Sequence, residues 1–226
     1  MALRPLKVTA GAAVLSCALL AGPAAGNAMA CDNVNSRPGS AGQAQLESAT
    51  VCLLNNARQQ HGLGRLRANG RLSTAAAAHS GDMVRKRYFS HTSRTGRDVV
   101  DRLRNSGYIP GATSWVVGEN IAWGSGGRST PRSIVSAWMN SPGHRQNILS
   151  RRFREIGIGV AFDTPTGSYS TGATYTTTFG TRSGPRQSRS GPRQSVAART
   201  TMRMRLKIRG GTPAGSSRSA TFRQVR

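Results

Sequence analysis

The chain has 226 residues, enough for one domain of ordinary size with extensions, or for two small ones. Thirty-two Lys+Arg against 8 Asp+Glu give a net charge of +24, with hydrophobic residues at only 37% and aromatics at 5%. No apolar run beyond the first 30 residues reaches the roughly 18–20 needed to cross a bilayer, which excludes a polytopic membrane protein. Three cysteines without a CxxC pair exclude a disulfide-dense miniprotein and a zinc ribbon.

At the N-terminus, Arg4 and Lys7 precede an apolar stretch from Val8 to Gly22 and the small residues Ala28-Met29-Ala30. A basic n-region, a short h-region and a small-residue cleavage site describe a secretory signal peptide over 1–30, cut before Cys31. The alternatives at this point are an uncleaved anchor, for which the apolar stretch is short, and a lipid anchor on Cys31, for which Ala28 is smaller than the usual aliphatic residue. Cleavage discards Cys17 and leaves Cys31 and Cys52, an even pair in an oxidising compartment, so a Cys31–Cys52 disulfide is expected. Such a bond ties a short arm, 31–43, to the first helix; the competing reading of Cys52 is a buried thiol.

The domain follows. Leu46, Ala49, Leu53, Ala57 and Gln60 step by three and four along Gln43–Gln60, a helical stripe ending at Gly62. Asn69 is an N-cap candidate for a second helix whose inner face holds Leu72, Ala75, Ala76, His79 and Met83. A third helix over Asp98–Asn105 carries Val99 and Leu103 and stops at Gly107. Thr130-Pro131 offers an N-cap and a proline at the first helical position, turning Ile134, Val135 and Trp138 inward. Ser141-Pro142 starts another helix, with the serine hydroxyl expected to cap. Trp115–Ala122, Ile156–Phe162 and Tyr175–Phe179 read as strands, the last two pairing across the Thr164–Gly172 loop. The pattern is α+β, with helices over a small sheet.

Residues 182–226 differ in kind, holding 12 Lys+Arg and no acid. Ser183-Gly184-Pro185-Arg186-Gln187-Ser188 recurs at 190–195, and this composition buries too little apolar area to offset its ordering entropy, so disorder is expected. Within it, Met202, Met204, Leu206 and Ile208 alternate with cations at strand period. The remaining 31–181 carries 18 basic and 8 acidic residues, or +10.

Chemistry-bearing residues are few. His61 reads as a solvated helix end and His79 as a satisfied histidine on an apolar face, outside any site. His91 follows Tyr88-Phe89-Ser90 beyond a helix end, and His144 stands in Ser141-Pro142-Gly143-His144-Arg145. Glu119 is a carboxylate inside an apolar strand, where pairing with an arginine is one explanation.

Phe89-Ser90-His91, Gly118-Glu119-Asn120-Ile121-Ala122, the run from Trp138 to Leu149 and Ile156-Gly157-Ile158-Gly159 resemble, in order and spacing, the CAP superfamily of cysteine-rich secretory, antigen 5 and pathogenesis-related proteins, nearest its secreted bacterial branch. The resemblance covers about residues 44–181 and implies an α-β-α sandwich with a small central antiparallel sheet and a groove. Carried over, the groove residues are His91, Glu119, Ser141 and His144, where Ser141 stands at the position of the family's second glutamate. His91, Glu119 and His144 would form a first shell for Zn²⁺. With one groove carboxylate absent, the resemblance favours a non-enzymatic secreted binding module over a zinc-assisted hydrolase of a cell-envelope component; no catalytic residue is assigned. The expected partners are a lipid or wall component for the groove and acidic polymers or anionic membrane for the tail, with nucleic acid disfavoured by export and the chain a monomer.

Overall fold

The computed structural model describes residues 29–167 and 169–184, and the backbone of 221–222. The expected signal peptide up to residue 28, most of the basic tail with its expected disorder, and the Met202–Ile208 alternation lie outside the described residues.

In chain order the elements are α1 (Gln43–Gln60), β1 (Arg67–Ala68), α2 (Gly70–Arg85), α3 (Val99–Asn105), β2 (Ser114–Gly124), a 3₁₀ turn (Gly126–Ser129), α4 (Pro131–Asn140), α5 (Pro142–Ile148), β3 (Glu155–Phe162), β4 (Ala173–Ser183) and β5 (Thr221–Phe222). The sheet order is β1-β3-β4-β2-β5. The three long strands are antiparallel, as expected, with Phe162 opposite Ala173 and Ala122 opposite Tyr175. The two-residue edge strands β1 and β5 pair in parallel, so the sheet is mixed at its margins. β4 runs to Ser183, so the boundary expected at 181 falls inside a strand.

Helices cover both faces. α1, α4 and α5 bury Leu46, Leu54, Ile134, Trp138 and Ile148 against Ile156, Ile158, Val160, Tyr175 and Phe179. α2 and α3 bury Leu72, Ala75, Val99 and Leu103 against Trp115 and Val117. The alternation of Ile156-Gly157-Ile158-Gly159 serves both layers. Its isoleucines fill one core, while a Cβ on Gly157 would lie 2.2 Å from the Leu72 backbone and one on Gly159 2.0 Å from the Ala77 nitrogen. Helix α2 therefore sits directly on the β3 backbone, and Ser80 Oγ donates to the Gly159 carbonyl at 2.8 Å.

The caps form largely as the sequence suggests. Asn69 Oδ1 accepts from Arg71 and Leu72 N–H, Asp98 and Asp101 cap reciprocally, and Thr130 Oγ1 accepts from Ser133 N–H. Ser141 occupies the N-cap of α5, but its hydroxyl makes no cap bond, contrary to the expectation. The α1 stripe also shifts: Leu54, Asn55 and Arg58 are buried, whereas Gln60 is exposed.

Cys31 and Cys52 are disulfide-bonded, with Cα atoms 5.8 Å apart. Beside the bridge, Asn56 accepts from Met29 N–H at 3.2 Å and donates to Met29 O at 2.7 Å. Farther along, Arg132 donates from its backbone to Val34 O and from Nε to Asn35 Oδ1, so the arm is fastened to both α1 and α4.

Candidate functional site

β2 presents successive side chains to opposite layers. Glu119 shares the side of Val117 and points toward α2 and α3, while Asn120 points toward α5 and donates to His144 O at 3.1 Å. Asn147 reinforces that side by donating to Asn120 Oδ1 at 2.9 Å and to Glu119 O at 3.2 Å. Gly118 is small because Phe153 and Asn147 occupy its Cβ space, at 2.8 and 3.2 Å.

Glu119 is buried at 3% exposure, and both carboxylate oxygens accept hydrogen bonds. Arg102 Nη2 donates to Oε1 at 2.9 Å and Oε2 at 2.7 Å, and also to His91 O at 3.0 Å. His91 Nδ1 lies 2.9 Å from Oε1; since an ionised carboxylate only accepts, Nδ1 is the donor of this bond. Arg102 Nη1 donates to Arg97 O, so one guanidinium from α3 fixes both the strand carboxylate and the loop carrying His91.

His79 belongs to this cluster, contrary to the sequence expectation. It is 1% exposed, with Nε2 2.9 Å from Ser90 O and 3.9 Å from Glu119 Oε1. The helical phase that places it on the apolar face of α2 also aims it at the β2 carboxylate. His61, by contrast, is the exposed end of α1, as expected.

The electrostatics follow from burial and neighbours. Burial alone would raise the Glu119 carboxyl, but the His91 hydrogen bond and the Arg102 charge outweigh it and hold the group below the ordinary value of 4.5. Burial pushes His79 from 6.5 down to about 4, with Glu119 opposing, so it is neutral at pH 7. Burial, followed by the charge of His91, lowers His144.

The family model described as cysteine-rich secretory protein family, CAP, matches residues 51–178. The chain belongs to the CAP family. The uncharacterized protein YkwD of Bacillus subtilis (strain 168) is 42% identical over 113 residues, covering 50% of this chain and 41% of that protein. The uncharacterized membrane protein YlbC of the same strain is 33% identical over 118 residues, covering 52% and 32%. The chain thus spans less than half the length of either relative. Among solved structures, an extracellular protein containing an SCP domain from Bacillus anthracis str. Ames superposes with a TM-score of 0.50 and 31% identity, covering 61% of this chain and 40% of that one.

Within this CAP domain the residues carried over by resemblance are only partly assembled. His91 and Glu119 touch. His144 sits on α5, on the Asn120 side of β2; it is close enough to feel the His91 charge but bonds neither partner, and its buried Nδ1 has no hydrogen-bond partner. Among the described residues, no group of three or more His, Cys, Asp or Glu side chains is placed to hold a metal ion. The expected zinc shell of His91, Glu119 and His144 does not fit this arrangement, because the carboxylate is held by Arg102 and His91 while His144 bonds neither partner. Ser141 forms no pair with His144; among the described residues, no Ser, Thr or Cys side chain hydrogen-bonds an imidazole.

Arg102 is the residue that sequence reading missed. A carboxylate within an apolar strand calls for a cationic partner, but with 29 arginines in the chain nothing local singles out this one.

Proposed function

We propose that this CAP-family protein is exported and acts as a non-enzymatic binding module at or outside the cell surface. Its recognition groove runs along His91, Ser141 and His144, and Glu119 supports its wall. The carrying observation is the closed Arg102–Glu119–His91 contact. A hydrolytic site needs a base free to take a proton from water or a nucleophile. Here the buried carboxylate is spent on a guanidinium and an imidazole, which suits it to hold His91 in one orientation. His91 is then a fixed polar group, and His144, its pKa lowered by burial, is a second imidazole nearby. Two imidazoles exchange hydrogen bonds with hydroxyl and amide groups, which lipid headgroups and wall glycans display.

The export reading is supported by the Cys31–Cys52 bridge, a cross-link typical of oxidising compartments, and by the extracellular Bacillus anthracis relative. Among the described residues, no helix is long and apolar enough to cross a membrane.

The test is co-sedimentation of the secreted full chain with isolated wall sacculi and with vesicles of extracted envelope lipid. Retention that drops at least fivefold in His144→Ala, with the fold intact by circular dichroism, is the expected result. Equal retention of wild type and variant would place binding outside the groove.

A further inference from the structure

The turn between α1 and β1 and the turn between α5 and β3 meet at one end of the domain. They are joined by Arg58 Nη1, which donates to Ile148 O at 2.7 Å and Ser150 O at 3.0 Å, and by Arg67 N–H, which donates to Arg154 O at 2.9 Å. Between them lies a cleft of about 310 Å³ lined by Arg58, Arg65, Arg151, Arg154 and Phe153, together with the glycine-rich turn at 62–64 and with no acidic residue. None of the four guanidinium groups has a carboxylate partner among the described residues.

Arg58 makes this more than a patch of surface cations. It is only 2% exposed, and its Nε donates to Gly64 O at 2.9 Å while Nη1 serves the two carbonyls of the facing turn. Nη2 is left as the donor without a protein acceptor. The guanidinium is thus locked in place with one face committed to the backbone and one nitrogen free. Burial depresses its pKa, and the charge of Arg154 depresses it further, so like charges are held together without a counter-ion. Such an arrangement is costly in the empty protein and is offset when an anion enters.

We propose that this cleft is a binding site for the phosphate groups of an anionic polymer or headgroup, with Arg58 Nη2 at its floor and Arg65, Arg151 and Arg154 at its rim. A carboxylate has two oxygens and is satisfied by a single guanidinium fork. Four arginines around one cleft outnumber what a single carboxylate can accept, and match a phosphodiester, whose four oxygens are spread tetrahedrally, or neighbouring phosphates along one chain. The site shares no residue with the Arg102–Glu119–His91 cluster, so it stands or falls independently of the groove reading.

The experiment measures binding of the full chain to three phosphate probes: soluble poly(glycerol phosphate), vesicles of phosphatidylglycerol in phosphatidylcholine, and inorganic phosphate. Each is titrated at several salt concentrations. The double variant Arg151→Ala/Arg154→Ala is compared with Arg37→Ala/Arg128→Ala, which removes the same charge from exposed positions outside the cleft. The cleft variant should lose about tenfold in affinity and flatten the log–log salt slope by about two, with the control pair nearly unchanged. The probe that shows this loss identifies the source, polymer chain or lipid headgroup. Equal losses in both double variants would reduce the effect to net charge and overturn the site. Tight, cleft-dependent binding of a polyglutamate of matched length would overturn the phosphate assignment, and unchanged binding in Arg65→Ala as well as the double variant would overturn both.

Discussion

Arg102 Nη2 lies 2.9 and 2.7 Å from the two carboxylate oxygens of Glu119, and both side chains are buried. A helix on one layer thereby neutralises the only acid of β2 and leaves His91 as its second donor. Removing one member of a buried pair exposes the other to an uncompensated desolvation cost, whereas replacing both by apolar groups is frequently tolerated. Arg102→Met should therefore cost about 3–5 kcal/mol in denaturant unfolding, and the double variant Arg102→Met/Glu119→Leu should recover much of it. Glu119→Gln should be nearly as costly as Arg102→Met, because the amide keeps the shape but strands the guanidinium. A merely hydrogen-bonded cluster would lose only a fraction of that.

The same cluster sets a pH dependence. His79 titrates at about 4 in the folded chain against 6.5 in its ordinary state. A depressed folded value means that the unfolded chain takes up the proton first. The stability contributed is complete above about 6.5, and is lost as pH falls through the window down to about 4. The shift corresponds to roughly 3 kcal/mol, and the depressed Glu119 adds a further loss at more acidic pH. Urea unfolding of wild type and His79→Phe between pH 7 and 4 checks this: the wild-type decline in that window should be markedly shallower in the variant.

Contact between α2 and β3 should be intolerant of a single methyl group. Gly159→Ala places a Cβ against the Ala77 backbone and Gly157→Ala against that of Leu72. Each should destabilise by about 3 kcal/mol or more, since backbone cannot move aside as a side chain can. Gly64→Ala, where nothing lies within 4 Å, should be near neutral by thermal melting.

Much of this was legible in the residues. The caps at Asn69, Asp98 and Thr130 and the apolar stripes mark the helices because 3.6-residue periodicity and capping are local properties. β1 was not, since two residues carry no period, and its parallel partner lies 88 positions away at Glu155. The phase of α1 slipped because an arginine reads as a surface residue, while Arg58 is buried by three carbonyls that only the folded turns supply. In the candidate site, the His91–Glu119 contact followed from family spacing. Arg102 and His79 did not, because their role depends on how α2 and α3 dock against β2.

The arm should depend on its cross-link. Closing a loop of 21 residues between Cys31 and Cys52 contributes roughly 3 kcal/mol in the chain-entropy model. Cys31→Ser/Cys52→Ser should lose about that amount and speed proteolysis at 29–36, while leaving the binding of groove probes unchanged. Alkylation of the unreduced native protein followed by mass spectrometry should leave Cys31 and Cys52 unmodified.

Most direct is a measurement of binding and product release in one reaction. Isolated envelope is incubated with wild type and with His91→Ala, the pellet is assayed for bound protein, and the supernatant is analysed for wall fragments, released acyl chains and new termini by mass spectrometry. A binding module predicts protein retained on the envelope, retention reduced in His91→Ala, and a supernatant indistinguishable from the protein-free control. Fragments released by wild type and absent with His91→Ala would contradict it and make His91 a catalytic group.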